Sequence, residues 1–107
     1  MIFALVCVFN VYWNSLGGVS EDLFGATIGK HYDRMRECIN QGADVNFKFM
    51  GTTTSLQEAV DDNDAKAAAI LLSHGASVQL MDGHFQRLLM APQFQKALAK
   101  EHFYFRD

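Results

Sequence analysis

Apolar residues recur along the central part of the chain at intervals of three and four, the spacing of one face of a helix. Leu56, Ala59 and Val60 form such a stripe, and Asn63-Asp64 interrupts it. Ala65 to Ser73 follows as an alanine- and leucine-rich run of high intrinsic helix propensity. The hydroxyls of Thr54-Ser55 suit the free N–H groups at the start of the first helix, and Gly75 suits the left-handed backbone just past the end of the second. The same plan predicts, upstream, a helix from about Glu21 to Ile28 capped by Ser20, a break at Gly29-Lys30, and a second helix from His31 to about Gln41. Met35, Cys38 and Ile39 mark its buried stripe. Downstream, a short helix ends after Leu88-Leu89-Met90. Pro92 then opens a last helix to about Glu101, with Phe94, Ala97 and Leu98 turned inward.

These helix pairs repeat. Gly42-Ala-Asp-Val-Asn46 returns 33 positions later as Gly75-Ala-Ser-Val-Gln79, and Leu23 with Leu56, Ala26 with Ala59, Ile39 with Leu72, and Val45 with Val78 keep that offset. The segment Gly29 to Asn46, Gly-Lys-His-Tyr-Asp-Arg-Met-Arg-Glu-Cys-Ile-Asn-Gln-Gly-Ala-Asp-Val-Asn, and the segment Ala69 to Val78, Ala-Ile-Leu-Leu-Ser-His-Gly-Ala-Ser-Val, resemble the ankyrin repeat. The resemblance covers about Ser20 to Gly83. It implies an all-α fold, an ankyrin-type helix-turn-helix solenoid with short hairpin loops. Its repeats fall at about 20–49 and 50–82, with a divergent carboxy-terminal cap over 83–107. The second unit departs from the family pattern. Thr54-Ser55-Leu56-Gln57 stands where Thr-Pro-Leu-His is usual, so the proline that presets the helix start and the histidine that ties neighbouring units are both replaced. Asp82-Gly83 resembles the usual hairpin tip, whereas the loop Phe47 to Thr53 is distributed differently around Gly51.

Residues 1–19 stand apart from this pattern. Met1 to Phe9 is an unbroken apolar run, too short to span a bilayer and lacking a basic residue before Lys30. Two readings stay open: an amino-terminal cap packed on the first unit, which is preferred, or a secretory signal that would make the protein an exported effector or inhibitor. Gly17-Gly18 reads as the turn between this segment and the repeats. A piece of a longer repeat array is a further alternative.

Composition narrows the chemistry. The chain has 107 residues, 50% hydrophobic and 20% charged, enough for one folded domain. Its formal charge of -3 provides no basic footprint for nucleic acid. The two cysteines, Cys7 and Cys38, form no CxxC pair, which favours a reducing, cytoplasmic setting. His31, His74, His84 and His102 fit no metal-ligand spacing with them, and no phosphate loop, nucleophile elbow or kinase signature occurs. The expectation is a protein without catalytic residues, cofactor or metal, and without a membrane or nucleic-acid partner.

What remains is binding to another protein, the function the resemblance implies, as a scaffold or adaptor. Phe47, Lys48, Phe49 and Met50 place large apolar side chains in a loop, and Leu80 and Met81 do so in the next. Such residues are enriched at interface centres, although folding back onto the helices is the equal alternative. Glu58, Asp61 and Asp62 lie on the first helix of the second unit, as a solvated face or as a contact for a basic partner. Phe49 is the residue expected to matter most for binding and least for stability.

Overall fold

The structure, a computed structural model, describes residues 18–105. Six helices are present among them: α1 (Gly18–Ile28), α2 (Tyr32–Asn40), α3 (Ser55–Asp61), α4 (Ala65–Ser73), α5 (Gly83–Met90) and α6 (Pro92–Lys100). The fold is thus mostly helical. A two-stranded antiparallel hairpin, β1 (Lys48–Phe49) and β2 (Thr53–Thr54), joins α2 to α3, and a single 3-10 turn (Val78–Leu80) lies between α4 and α5.

The helices begin and end for local reasons. Thr54 caps α3 by accepting from the Gln57 N–H at 3.2 Å, and Asp64 caps α4 by accepting from the Ala67 N–H at 3.1 Å. Pro92 stands at the start of α6, where its missing N–H removes no helical bond. Five helix ends share one closure, in which a left-handed residue donates three positions back and the next residue donates five positions back. Gly42 and Ala43 donate to Ile39 and Cys38, Gly75 and Ala76 to Leu72 and Leu71, and His102 and Phe103 to Ala99 and Leu98. Lys30 with His31 and Asn63 with Asp64 close α1 and α3 in the same way. Lys30 and Asn63 lie 33 positions apart, as do Gly42 and Gly75.

Packing arranges the pairs in two rows. Each pair packs on itself, α1 on α2, α3 on α4 and α5 on α6; across pairs α3 touches α1 and α5, and α4 touches α2 and α6. Between the rows runs one core, in which Leu23, Met35, Leu56, Leu71, Leu89 and Leu98 are completely enclosed. Loops are tied to their neighbours by side chains. The Asp44 N–H donates to Ser20 Oγ at 2.9 Å, Asn46 donates from Nδ2 to the Gly75 carbonyl at 3.3 Å and accepts the Ser77 N–H at 2.7 Å, and Gln57 accepts the Asp82 N–H at 3.4 Å. The Tyr32 hydroxyl donates to the Asp64 carboxylate at 3.1–3.2 Å, linking α2 to the cap of α4.

Three expectations are corrected. Ser20 is not the cap of α1, which already includes Gly18 and Val19; its buried hydroxyl serves Asp44 instead. Gly18 is therefore helical, while residues 1–17, with the cap and signal alternatives, lie outside the described residues. Asp82-Gly83 is not a hairpin tip either. Twelve positions separate Gly42 from the α3 cap Thr54, but only seven separate Gly75 from the corresponding Asp82, too few for two strands and a turn, so a 3-10 turn takes their place. Apart from these, Leu71 is the enclosed leucine of α4, and Leu72 packs against the core partly buried.

Candidate protein-binding surface

The hairpin between α2 and α3 is built on a turn whose two central residues both have positive φ, Met50 at 56° and Gly51 at 72°. Such a turn matches the twist of the flanking strands. Thr52 closes it by donating its N–H to the Phe49 carbonyl at 3.1 Å and its hydroxyl to the same oxygen at 3.2 Å. In β2, Thr53 donates its hydroxyl to Glu58 Oε1 at 3.2 Å, which fastens the hairpin to α3.

Phe49 faces inward from this hairpin. Its ring stacks on Phe24 of α1 with centroids 4.6 Å apart and planes 10° from parallel, and it is half-buried. Met50, one residue on, faces outward and is 81% exposed. Lys48 is exposed in β1, and Phe47 is half-buried beside it. The hairpin thus separates its apolar residues into one that holds it down and one that it presents.

The remaining candidates do not gather at this tip. Leu80, at the end of the 3-10 turn, is 38% exposed, but Met81 is 3% exposed and belongs to the core. Glu58 is half-buried and occupied by Thr53. Asp61 and Asp62 are exposed at the opposite end of α3, about 9 Å along its axis from Ser55 at 1.5 Å per residue. There Asp61 borders a hollow of about 320 Å³ that also touches Leu88 and Phe94. With Met81 in the core and Glu58 bound to the hairpin, the other candidates resolve into a tip, a shoulder at Leu80 and an acidic corner.

Phe24, half of the contact that orients the tip, was not marked by the sequence as a partner of the hairpin. Its position one residue after Leu23 in an apolar stripe is the signal that it too is buried. Cys38 is completely enclosed, and burial pushes its thiol above the usual range, so it stays protonated. Among the described residues no group of three His, Cys, Asp or Glu side chains is placed to hold a metal ion. No helix there is long and apolar enough to cross a membrane. No family model, no curated protein and no solved structure matches the chain.

Proposed function

We propose that this chain is a short ankyrin-type scaffold that binds another protein through the hairpin tip centred on Met50. The observation that carries the reading is the division of labour between two adjacent residues. Phe49 anchors the hairpin to α1, so Met50 is presented 81% exposed on a tip whose geometry is already fixed. Fixing the backbone of the tip beforehand lowers the entropic cost of association, leaving only the Met50 side chain to be ordered on binding. The 33-residue spacing of Lys30 with Asn63 and of Gly42 with Gly75, together with the Asn46 bonds into the next loop, supports the ankyrin-type architecture. Lys48 and Leu80 extend the proposed contact, and Asp61 and Asp62 lie outside it.

Site-specific photo-crosslinking tests this reading. A crosslinker at position 50 is expected to give a discrete protein adduct that the unlabelled chain competes away, and one at the exposed Lys96 of α6 is expected to give none. An adduct from position 61 but not from position 50 would move the binding face to the acidic corner.

A further inference from the structure

On the other row of helices, Lys30, Arg34, Arg36 and Lys66 surround a groove of about 560 Å³ that crosses α2 and the start of α4. A second hollow of about 230 Å³ shares Arg36 and Lys66 with it and continues along α4 over Ala69, Ile70 and Ser73 toward Glu101. Four of the nine lysines and arginines in a chain of formal charge -3 thus border two adjoining hollows; Asp33 and Glu101 are the carboxylates that line them, and Asp22 and Glu37 lie against Arg34.

Arg34 is paired with Asp22 and Glu37, each at 3.3 Å, whereas Lys30, Arg36 and Lys66 are positioned without being neutralised. Arg36 meets Asp33 at 3.3 Å, but that carboxylate is fully solvated and the pair sits one turn apart on α2, an arrangement of little net strength. Lys66 holds its ammonium 4.9 Å above the Tyr32 ring, a contact that fixes its place and leaves its charge intact. Tyr32 is itself held by Asp64. Among the described residues the Lys30 ammonium has no ion-pair partner, and its backbone is kept at a φ of 59° by the corner that closes α1.

From this arrangement we infer that the groove between α2 and α4 docks an acidic peptide segment, with carboxylates on Arg36 and Lys66 and one apolar side chain over Ala69 and Ile70. Guanidinium forks match carboxylates in pairs, and the apolar floor suits a side chain that a phosphate backbone does not offer. Asp33 and Glu101 also interrupt the positive stripe that a nucleic acid needs. From Lys66 to Ser73 the groove follows about 10 Å of helix, room for about three residues of extended chain. This surface belongs to the opposite helix row from the Met50 tip and stands or falls separately from it.

The probe is a fluorescein-labelled octapeptide of glutamates with one central leucine, set against its glutamine counterpart and an octathymidylate, using the full chain. Saturable binding of the acidic peptide is expected, with amide shifts in the NMR spectrum concentrated at Arg36, Lys66, Ala69 and Ser73. Arg36→Glu combined with Lys66→Glu is expected to weaken it about tenfold or more, and added salt to weaken it progressively. Ser73→Trp, which obstructs the groove without changing charge, is expected to weaken it also, and Met50→Asp to leave it unchanged. Equal binding of the glutamine peptide, tighter binding of the oligonucleotide, shifts elsewhere on the chain, or no shifts up to about 5 mM peptide, the weak limit of specific recognition, would each overturn the inference. Shift mapping on the unaltered chain decides the matter even if a variant fails to fold.

Discussion

Phe49 lies flat against Phe24, and this single stacked contact joins the hairpin to the first helix across 25 positions of sequence. It reverses the expectation that Phe49 is dispensable for stability. Phe49→Ala is expected to cost about 2 kcal/mol, less than the loss of a fully enclosed aromatic because the ring is half-buried. Met50→Ala is expected to change stability by less than about 0.5 kcal/mol, as exposed substitutions do. Paired thermal melts of the two variants check the division between anchor and presented residue; equal midpoints would refute it.

The Asn46 amide uses both ends, donating to the Gly75 carbonyl and accepting from the Ser77 N–H, so it fixes one loop against the next. Asn46→Ala leaves the half-buried Ser77 N–H without that acceptor and is expected to destabilise by about 1–3 kcal/mol. Asn46→Asp keeps an acceptor but loses the donor, and its cost is expected to be smaller. Chemical denaturation of both variants measures the difference.

Left-handed corners offer a test in both directions. Lys30 and His102 take a φ near 60° where Gly42 and Gly75 stand at the equivalent closures. Lys30→Gly or His102→Gly is expected to stabilise by up to about 1 kcal/mol, the relief of left-handed strain less the added chain entropy. Gly75→Ala is expected to destabilise by about 1 kcal/mol; since nothing lies within 4 Å of an added Cβ, backbone conformation alone accounts for the loss. Denaturation midpoints measured at one pH give all three.

Stability is expected to fall in alkali. Burial first, and then the hydrogen bond to Asp64, push the Tyr32 hydroxyl above its ordinary value of 10.0, and burial pushes the Cys38 thiol above 9.0. In each case the folded chain holds the proton more tightly than the unfolded chain does. The associated stability is therefore complete below those ordinary values and is lost as pH rises from about 9 upward through the folded values. Unfolding free energies from pH 7 to 11 are expected to decline, less steeply in Cys38→Ala and in Tyr32→Phe.

Helices, breaks and caps were legible because they depend on a few adjacent residues. Thr54, Asn63-Asp64, Gly75 and Pro92 each act within one turn, and each lies at the boundary that its chemistry predicts. Ser20 misled for the same reason: its hydroxyl looks like a cap locally, and only the distant Asp44 N–H explains it. Which of Leu71 and Leu72 is enclosed was not legible, because the run is so apolar that periodicity cannot phase it. Of the candidate surface, the loop containing Met50 was legible. Which loop residues fold back, Phe49 and Met81, and the groove at Arg36 and Lys66 were not, because each depends on a neighbour more than 20 positions away or on a different helix.

The five left-handed corners also govern how quickly the chain can reach this structure. Each is closed by hydrogen bonds spanning no more than six consecutive residues; the corners at Lys30 and Asn63 join α1 to α2 and α3 to α4, and the single residue Ala91 joins α5 to α6, so two neighbouring helices can meet before any distant loop is drawn in. Chains dominated by near contacts cross their folding barrier in about microseconds to milliseconds. Because both outer pairs make their main contacts outside themselves with the middle pair, the middle pair is expected to set the folding rate. Slowing α3 or α4 should delay the whole molecule, whereas loosening either outer pair should chiefly hasten its unfolding.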